Sequence, residues 1–275
     1  MKHRWSSNNN ASRSHCAPER ARPSAMSQAN RFAQLDFEAF RQLAGEAGLS
    51  RHEKVGFPDS YRDGKEQAIF ADMCNKLPSL RKQGGQVLEI GPGCSELPVM
   101  LADLCAQQGG RLILVDSAEM LALLPDAPHV QKVPGAFPEA LQVQQSALCG
   151  QLDTIVAYSV VQYVFAEGNL WRFLDRCFAL LADGGELFLG DIPNTTMRKR
   201  FFASAAGEAS HRAYTGTDEK PAVAFNVLEP DQMDDAVVFG ILMRARAHGF
   251  HAWVLPQAAG LPMGNRREDI LIRKP

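Results

Sequence analysis

The fold of this chain is decided by one stretch of sequence, QVLEIGPGCSELPVMLADLC, at residues 86–105. Its first part, residues 87–90, is a short apolar run rich in branched side chains, as in a buried parallel strand. Gly91, Pro92 and Gly93 then break the chain, and from Leu97 onward apolar residues recur at helical spacing. A strand, a glycine turn and a helix bring bare backbone and a helix N-terminus up to a ligand. The stretch therefore predicts a ligand site at the turn, with the carboxylate of Glu89 beside it.

The alternation of strand and helix continues along the chain. Short apolar runs predict further strands at residues 111–116, 129–133, 152–161 and 183–191, with helical segments between them. Strands joined by helices form β-α-β crossovers and a parallel sheet with helices on both faces. We therefore predict a doubly wound α/β sheet that binds its ligand at the carboxyl ends of the strands.

The end of the chain departs from this alternation. Its last two apolar segments, residues 250–256 and the residues before the C-terminus, have no helical pattern between them. A parallel crossover needs such a connecting segment, so an antiparallel hairpin is favoured. The predicted sheet thus has seven strands, is mostly parallel and has an antiparallel last strand.

The composition is that of a globular protein without a strong charge bias. Of 275 residues, 45% are hydrophobic, and 29 basic residues nearly balance 31 acidic ones, for a net charge of −2. This is enough material for one large α/β domain, or for one domain with a small appendage. We expect no nucleic-acid partner, because no basic face is concentrated. We also expect no membrane partner, since no apolar run approaches the ~20 residues of a membrane span.

The cysteine pattern argues against a metal centre. The six cysteines are scattered, with no C-x-x-C pair and no histidine at ligand spacing. Scattered free thiols are typical of a reducing compartment. We therefore expect no metal and a cytoplasmic location.

The first part of the chain divides into two predicted segments. Residues 1–29 are polar and rich in Lys, Arg, Ser and Asn, and lack the apolar core of a secretory signal. We predict a disordered leader, or translation from upstream of a working start at Met26. Residues 30–82 carry two helical patterns and are predicted to form a helical cap. Residues 83–275 then form the Rossmann-like domain, with a polar insert at about 194–226.

The order of these pieces resembles the class I S-adenosylmethionine-dependent methyltransferases, across roughly residues 60–275. VLEIGPGCS looks like their first motif, E/D-x-G-x-G-x-G, with Glu89, Gly91 and Gly93 in place. Ser95 replaces the third glycine, and its hydroxyl can cap the following helix. LDTIVAYSVVQYV and LLADGGELFLGDIPN are similar to the family's fourth- and fifth-strand segments.

The resemblance implies a methyltransferase fold and S-adenosyl-L-methionine as cofactor. Glu89 and the turn amides suit the amino-acid end of that cofactor, and Asp116 suits the ribose hydroxyls. The cofactor-binding candidates are Glu89, Gly91, Pro92, Gly93, Asp116, Ser117, Ala136, Phe137, Tyr158 and Gln162. Methyl transfer is an in-line displacement, so the enzyme mainly aligns acceptor and methyl group, an effect worth on the order of 7–11 kcal/mol.

The methyl acceptor is predicted only as a class, a small molecule or a sugar. GFPDSYRDGKEQAIFADMCNKL and LPMGNRREDILIRKP look like a subgroup of bacterial surface-glycan and flagellin-glycan modification enzymes. That weaker resemblance implies a glycan or nucleotide-sugar acceptor. The oligomeric state is left open.

A hydroxyl acceptor also needs a nearby base. Asp191, after the fifth strand, is one candidate, although it could equally be a turn-capping aspartate. His211, in the polar insert, is the other, with a surface role as its alternative.

Substrate-binding candidates come from the cap, the fourth strand and the terminal hairpin. They are Tyr61, Arg62, Tyr163, Gln257, Arg266 and Arg267. The adjacent arginines suit a carboxylate or phosphate group. They could instead be a solvated charge cluster that protects a sheet edge.

Three rival functions share parts of this pattern. An NAD(P)-dependent oxidoreductase also has a strand, glycine turn and helix, but the sixth position of its G-x-G-x-x-G motif is Glu96 here. An aminopropyltransferase would carry an acidic residue after the fourth strand, where Tyr158 and Ser159 stand. A non-catalytic relative that only binds S-adenosylmethionine remains open.

Overall fold

Seven strands form one sheet in the order β3-β2-β1-β4-β5-β7-β6 in the computed structural model. The model describes residues 35–227 and 229–275, with only the backbone at Ser60. The strands are β1 (Gln86–Ile90), β2 (Arg111–Asp116), β3 (Val130–Pro134), β4 (Leu152–Tyr158), β5 (Leu181–Pro193), β6 (His251–Pro256) and β7 (Arg267–Arg273). β1 to β5 pair in parallel, and β7 runs antiparallel to both β5 and β6. The prediction of a mostly parallel seven-stranded sheet with a reversed last strand is confirmed.

Helices cover the sheet and precede it. Those before β1 are α1 (Phe37–Gly45), α2 (Arg51–Lys54), α3 (Asp59–Arg62) and α4 (Glu66–Lys76). Those between β1 and β5 are α5 (Glu96–Gln107), α6 (Ala118–Leu121), α7 (Gln145–Leu148), α8 (Val161–Glu167) and α9 (Leu170–Leu180). Those after β5 are α10 (Thr195–Phe202), α11 (Ala205–Thr215) and α12 (Asp235–Ala247). Within the described ranges, no helix has the length and apolar character needed to cross a membrane.

Alternating residues of β1 show how the sheet is covered on both faces. Leu88 packs in a cluster with Phe173 of α9 and Ile241 of α12. Val87, one residue earlier, packs in a second cluster that includes Leu101 of α5. Because strand side chains alternate between faces, Glu89 lies on the same face as Val87, beneath α5.

The cap contains more helix than the sequence pattern predicted. Two further short helices, α2 and α3, lie between the two helices that the sequence pattern predicted. Ser50 and Glu53 form a reciprocal capping box that starts α2. This S-x-x-E signal was present in the sequence and was overlooked. The first predicted helix begins at Phe37, and the predicted leader at 1–29, including Met26, lies outside the described residues.

The polar insert is helical and follows an unusual strand end. Helices α10 and α11 occupy much of residues 194–226. Just before them, the pairing of β5 with β7 shifts register between Leu189 and Ile192. Asp191 lies within this irregularity and adopts a positive φ of 59°. The Asp191 side chain contacts Arg62 of the cap and Arg267 of β7.

Candidate functional site

A cavity of about 490 Å³ lies at the carboxyl ends of β1, β2 and β4. The cap contributes Phe40, Val55 and Phe57 to its walls, and the loop after β3 contributes Phe137. Aromatic and aliphatic side chains therefore surround the end of the sheet where the parallel strands were predicted to bind a ligand.

The glycine turn after β1 forms the floor of this cavity. Gly91 and Gly93 both adopt a φ of +65°, and the Gly91 N–H donates to the Val115 carbonyl at 2.9 Å. A Cβ added to Gly93 would lie 2.5 Å from Cγ1 of Val55. Only glycine accepts this conformation and this close approach.

We expect Gly93→Ala to weaken binding of an adenosyl ligand by at least tenfold, because the side chain strains the turn by roughly 1–2 kcal/mol and also meets Val55. Isothermal titration checks this. Gly216→Ala is the matched control, since Gly216 has a φ of 69° with nothing within 4 Å of an added Cβ. Equal affinities of the two variants would contradict a ligand at the turn.

Glu89 presents an unsatisfied carboxylate oxygen to the cavity. The residue is 4% exposed, and its Oε2 has no hydrogen-bond partner among the described residues. Burial, and secondarily the negative charge of Asp116, raises the pKa of Glu89 to about 8. A buried carboxylate beside a cavity is stabilised when a cation arrives. The site therefore fits a ligand that carries an ammonium or sulfonium group.

Asp116 stands at the end of β2, across the turn from Glu89. Burial raises its pKa to about 6, while N–H groups of Ser117 and Gly93 lower it. Its Oδ2 accepts from Gly93 at 3.1 Å and its Oδ1 from Ser117 at 2.6 Å. Asp116 lines the cavity, whereas the Ser117 hydroxyl caps α6 by accepting from Met120 at 3.1 Å.

The other predicted cofactor residues also divide into those that line the cavity and one that does not. Pro92, Ala136, Phe137 and Tyr158 line the cavity. Gln162 is not part of its wall, and its amide donates to the Ser159 carbonyl at 2.9 Å.

Arg62 crosses from the cap to the end of β4. Its Nη2 donates to Ser159 Oγ and to Asp191 Oδ2, both at 2.7 Å. Its guanidinium carbon lies 4.2 Å from the centre of the Phe57 ring. Arg62 lines the cavity, and its buried Nε has no partner among the described residues. Arg62 thus retains one donor for a ligand.

Asp191 lies behind this wall as the anion between two arginines. Arg267 Nη1 donates to its Oδ2 at 2.8 Å, and the Ser159 hydroxyl also donates to that oxygen. Gln257 reaches its Oδ1 at 3.3 Å. The Oδ2 of Asp191 already accepts three hydrogen bonds, and Asp191 is absent from the cavity wall, so it does not face a substrate there. The geometry favours a structural role for Asp191 over that of a base.

A second buried carboxylate, Asp269, extends the same network. Its Oδ1 accepts from the Asp191 N–H at 2.8 Å and from Gln257 at 3.1 Å. Its Oδ2 accepts from Lys76 Nζ of α4 at 2.7 Å. These contacts connect the cap to β5 and β7. Gln257, held by Asp269 and Asp191, and Arg267, held by Asp191, are not part of the cavity wall.

The remaining predicted substrate and catalytic residues are distributed over two regions. Tyr163 lines the cavity, with its ring edge-on to Phe40 at 5.0 Å. Tyr61, Arg266 and His211 are not part of the wall. Arg266 lies over Phe201 and Phe202, and His211 packs against Phe202. The structure does not bring His211 or Arg266 to the cavity.

Two titratable cavity residues of the cap were missed by sequence reasoning. His52 of α2 and Glu66 of α4 both line the wall, and they hydrogen-bond to each other. Only the capping box that starts α2 signalled structure here, and it says nothing about a histidine. Across the described ranges, no group of three or more His, Cys, Asp or Glu residues could hold a metal ion.

Comparison with protein families and curated proteins gives partial matches only. No family model matches the chain. The probable non-canonical nonribosomal peptide synthetase CymA of Salinispora arenicola is 30% identical over 165 residues, which is 58% of this chain and 2% of that protein. The chain therefore spans only about one fiftieth of the length of this curated relative.

Solved structures share the architecture at low sequence identity. Phosphoethanolamine N-methyltransferase 1 of Haemonchus contortus, in complex with phosphoethanolamine and S-adenosylhomocysteine, matches with a TM-score of 0.54 and 12% identity, over 91% of this chain and 50% of that one. The CurJ carbon methyltransferase matches with a TM-score of 0.51 and 16% identity, over 90% and 70%. Together with the strand order and the reversed β7, these matches show that the chain has the Rossmann-like fold of S-adenosylmethionine-dependent methyltransferases.

Proposed function

We propose that this chain is an S-adenosylmethionine-dependent methyltransferase acting on a small-molecule, peptide or sugar acceptor. The observation that carries the proposal is the unpartnered, buried carboxylate oxygen of Glu89 beside a glycine turn that opens into the cavity. A cationic cofactor would relieve the burial of that carboxylate. The fold matches support the same class.

The residues at the glycine turn and near it would each contact a different part of the cofactor. Glu89 and the turn amides would hold its amino-acid end, and Asp116 would accept hydrogen bonds from its ribose. Ala136 and Phe137 line the part of the cavity where an adenine would lie. The bound cofactor would supply a methyl group on a sulfonium leaving group, so that transfer to an acceptor X–H forms X–CH₃ and releases one proton.

The cap would hold the acceptor. Arg62 lines the cavity, and its Nε has no partner among the described residues, so it suits a carbonyl, carboxylate or hydroxyl oxygen. Tyr163 and Phe57 supply aromatic faces for the remainder of the molecule. An acceptor held in this way lies between the cap and the end of β4, next to the glycine turn.

Two acceptor chemistries are supported by different observations. The resemblance to glycan-modification enzymes in two stretches supports a sugar hydroxyl. The 30% identity to a nonribosomal peptide synthetase over 165 residues supports an amine or other nucleophile on an amino acid or peptide. The adjacent arginines no longer favour a phosphorylated sugar, because Arg267 is engaged by Asp191 and Arg266 by aromatic rings.

The test is transfer of an isotopically labelled methyl group to two panels, one of amino acids, amino-acid thioesters and short peptides, and one of nucleotide sugars and glycans. We expect label in one panel and an equal amount of S-adenosylhomocysteine formed. Cofactor binding without transfer to either panel would favour the non-catalytic relative. Oxidation of NAD(P)H with no adenosyl binding would favour the oxidoreductase.

A further inference from the structure

A cluster of three titratable side chains in the cap is not accounted for by cofactor binding. Glu66 is 5% exposed and lines the cavity. His52 hydrogen-bonds to it through Nε2 and to Asp59 Oδ1 through Nδ1 at 3.0 Å. The Asp59 side chain is 56% exposed. The cluster therefore runs from a buried carboxylate in the cavity wall to a carboxylate in solvent.

The cluster lies between the two places that a methyl-transfer site must bring together. Residues before and after His52 contact the glycine turn, since the Arg51 carbonyl accepts from Cys94 Sγ at 3.6 Å and Val55, just after α2, lies against Gly93. Glu66 begins α4, four residues after Arg62, which contacts Ser159 at the end of β4. Glu66 thus faces the cavity between the turn of β1 and the end of β4.

Other carboxylates in the wall are less suited to take a proton from an acceptor. Glu89 and Asp116 lie at the glycine turn, where the proposed function assigns them to the cofactor. The Glu139 side chain is 53% exposed and paired with Arg172 at 2.8 Å, and Glu167 is exposed. Among the described residues, Glu66 is therefore the buried carboxylate of the cavity wall that is not assigned to the cofactor.

We propose that Glu66 is the base that accepts the acceptor's proton, with His52 and Asp59 as positioning residues that hold its carboxylate in place and pass the proton to water. This rests on the proposed function and assigns the acceptor chemistry: a hydroxyl or amine that loses one proton on methylation. The X–C bond forms, the S–C bond breaks with its electron pair left on sulfur, and the proton goes to Glu66. The cluster then sheds one proton from Asp59, its exposed member.

The electrostatics of His52 agree with this arrangement. Burial lowers the pKa of His52, but the hydrogen bonds and charges of Glu66 and Asp59 outweigh it and raise the pKa above the ordinary histidine value. A protonated His52 ring can donate from both nitrogens, to Glu66 through Nε2 and to Asp59 through Nδ1.

The experiment compares Glu66→Gln, Glu66→Asp and His52→Asn with wild type in three measurements. Isothermal titration with S-adenosylmethionine should give unchanged affinity in all three variants. Methyl transfer to the acceptor that the two panels identify should fall roughly 10²–10⁴-fold in kcat for Glu66→Gln, with partial recovery in Glu66→Asp. Asp63→Asn is the matched control, because Asp63 is an exposed acid three residues before Glu66 and lies outside the wall.

The third measurement is independent of turnover. Nitrogen-15 NMR of labelled histidines, with His52 assigned by its loss in His52→Asn, should show a raised pKa that falls in Glu66→Gln and in Asp59→Asn. A His52 pKa unaffected by both substitutions would overturn the proposal, as would a kcat of Glu66→Gln within threefold of wild type. Absence of cofactor binding by the wild-type protein would instead contradict the proposed function. The NMR measurement does not require the cofactor, so it would still test the contacts of His52 with Glu66 and Asp59.

Discussion

Glu89→Gln is expected to reduce the affinity for S-adenosylmethionine by roughly 10²–10³-fold. The substitution keeps the shape of the side chain but removes the buried charge that faces the cofactor's cationic end, and loss of one member of a buried ion pair costs about 3–5 kcal/mol. Isothermal titration of wild type and variant at one pH measures the difference. Glu219→Gln, at an exposed position in the segment after α11, is the control.

The same substitution should stabilise the ligand-free protein at alkaline pH. Burial and then the charge of Asp116 raise the pKa of Glu89 to about 8 in the folded state, from an ordinary value of 4.5. The folded state therefore binds this proton more tightly, and stability is lost as the pH rises from about 4.5 to 8. Glu89→Gln should match wild type in melting temperature near pH 4.5 and exceed it near pH 8.5. Equal melting temperatures of wild type and variant at both pH values would mean that Glu89 is not buried as described.

The pH dependence of binding follows from the same pKa. Only ionised Glu89 attracts a cation, so the affinity of wild type for S-adenosylmethionine should rise between pH 6 and about 8 with release of protons on binding. Titrations in buffers of different ionisation enthalpy detect that release. Glu89→Gln should lose the part of the release that belongs to Glu89.

Asp191→Ala is expected to lower the free energy of unfolding by roughly 3–5 kcal/mol, because it leaves two buried cations without their anion. The paired side chains of Arg62, Arg267 and Asp191 are 8%, 12% and 4% exposed. Chemical denaturation measures the loss. Asp183→Ala is the control, since Asp183 lies on the same strand with its side chain 88% exposed and pairs with Lys274 at the surface.

Asp191→Asn separates a structural role from a catalytic one. Asparagine tolerates the positive φ at this position and keeps an oxygen for the two arginines, but it loses the charge. We expect a substantial loss of stability together with weaker acceptor binding, because Arg62 is released. Full stability with turnover abolished would restore Asp191 as the base.

The sheet and the cofactor end of the site could be predicted because their signals are local. Glu89 and Asp116 reach the cavity because they lie at the carboxyl ends of β1 and β2. An apolar run followed by a glycine turn is visible within about ten residues of chain. The reversed β7 also followed from a local fact, the lack of a helical segment before it. Ser95 accepts from the Leu97 N–H at 3.4 Å, so its predicted cap of α5 is confirmed.

The acceptor end could not be predicted in the same way because its contacts join distant parts of the chain. Arg62 meets Asp191 across 129 positions, and Arg267 meets Asp191 across 76. The reversal of β7 was predicted, but it could not show that Asp191 would engage Arg267. Glu66 of α4 and His52 of α2 meet through packing within the cap, and no motif marks that packing.

The most direct test of the central claim is titration of the wild-type protein with S-adenosylmethionine, S-adenosylhomocysteine and NAD. We expect saturable binding of both adenosyl ligands at one site, competition between them, and no heat with NAD. Glu89→Gln should lose affinity for S-adenosylmethionine more than for S-adenosylhomocysteine, which lacks the sulfonium charge. Failure of both adenosyl ligands to bind, or binding of NAD in their place, would contradict it.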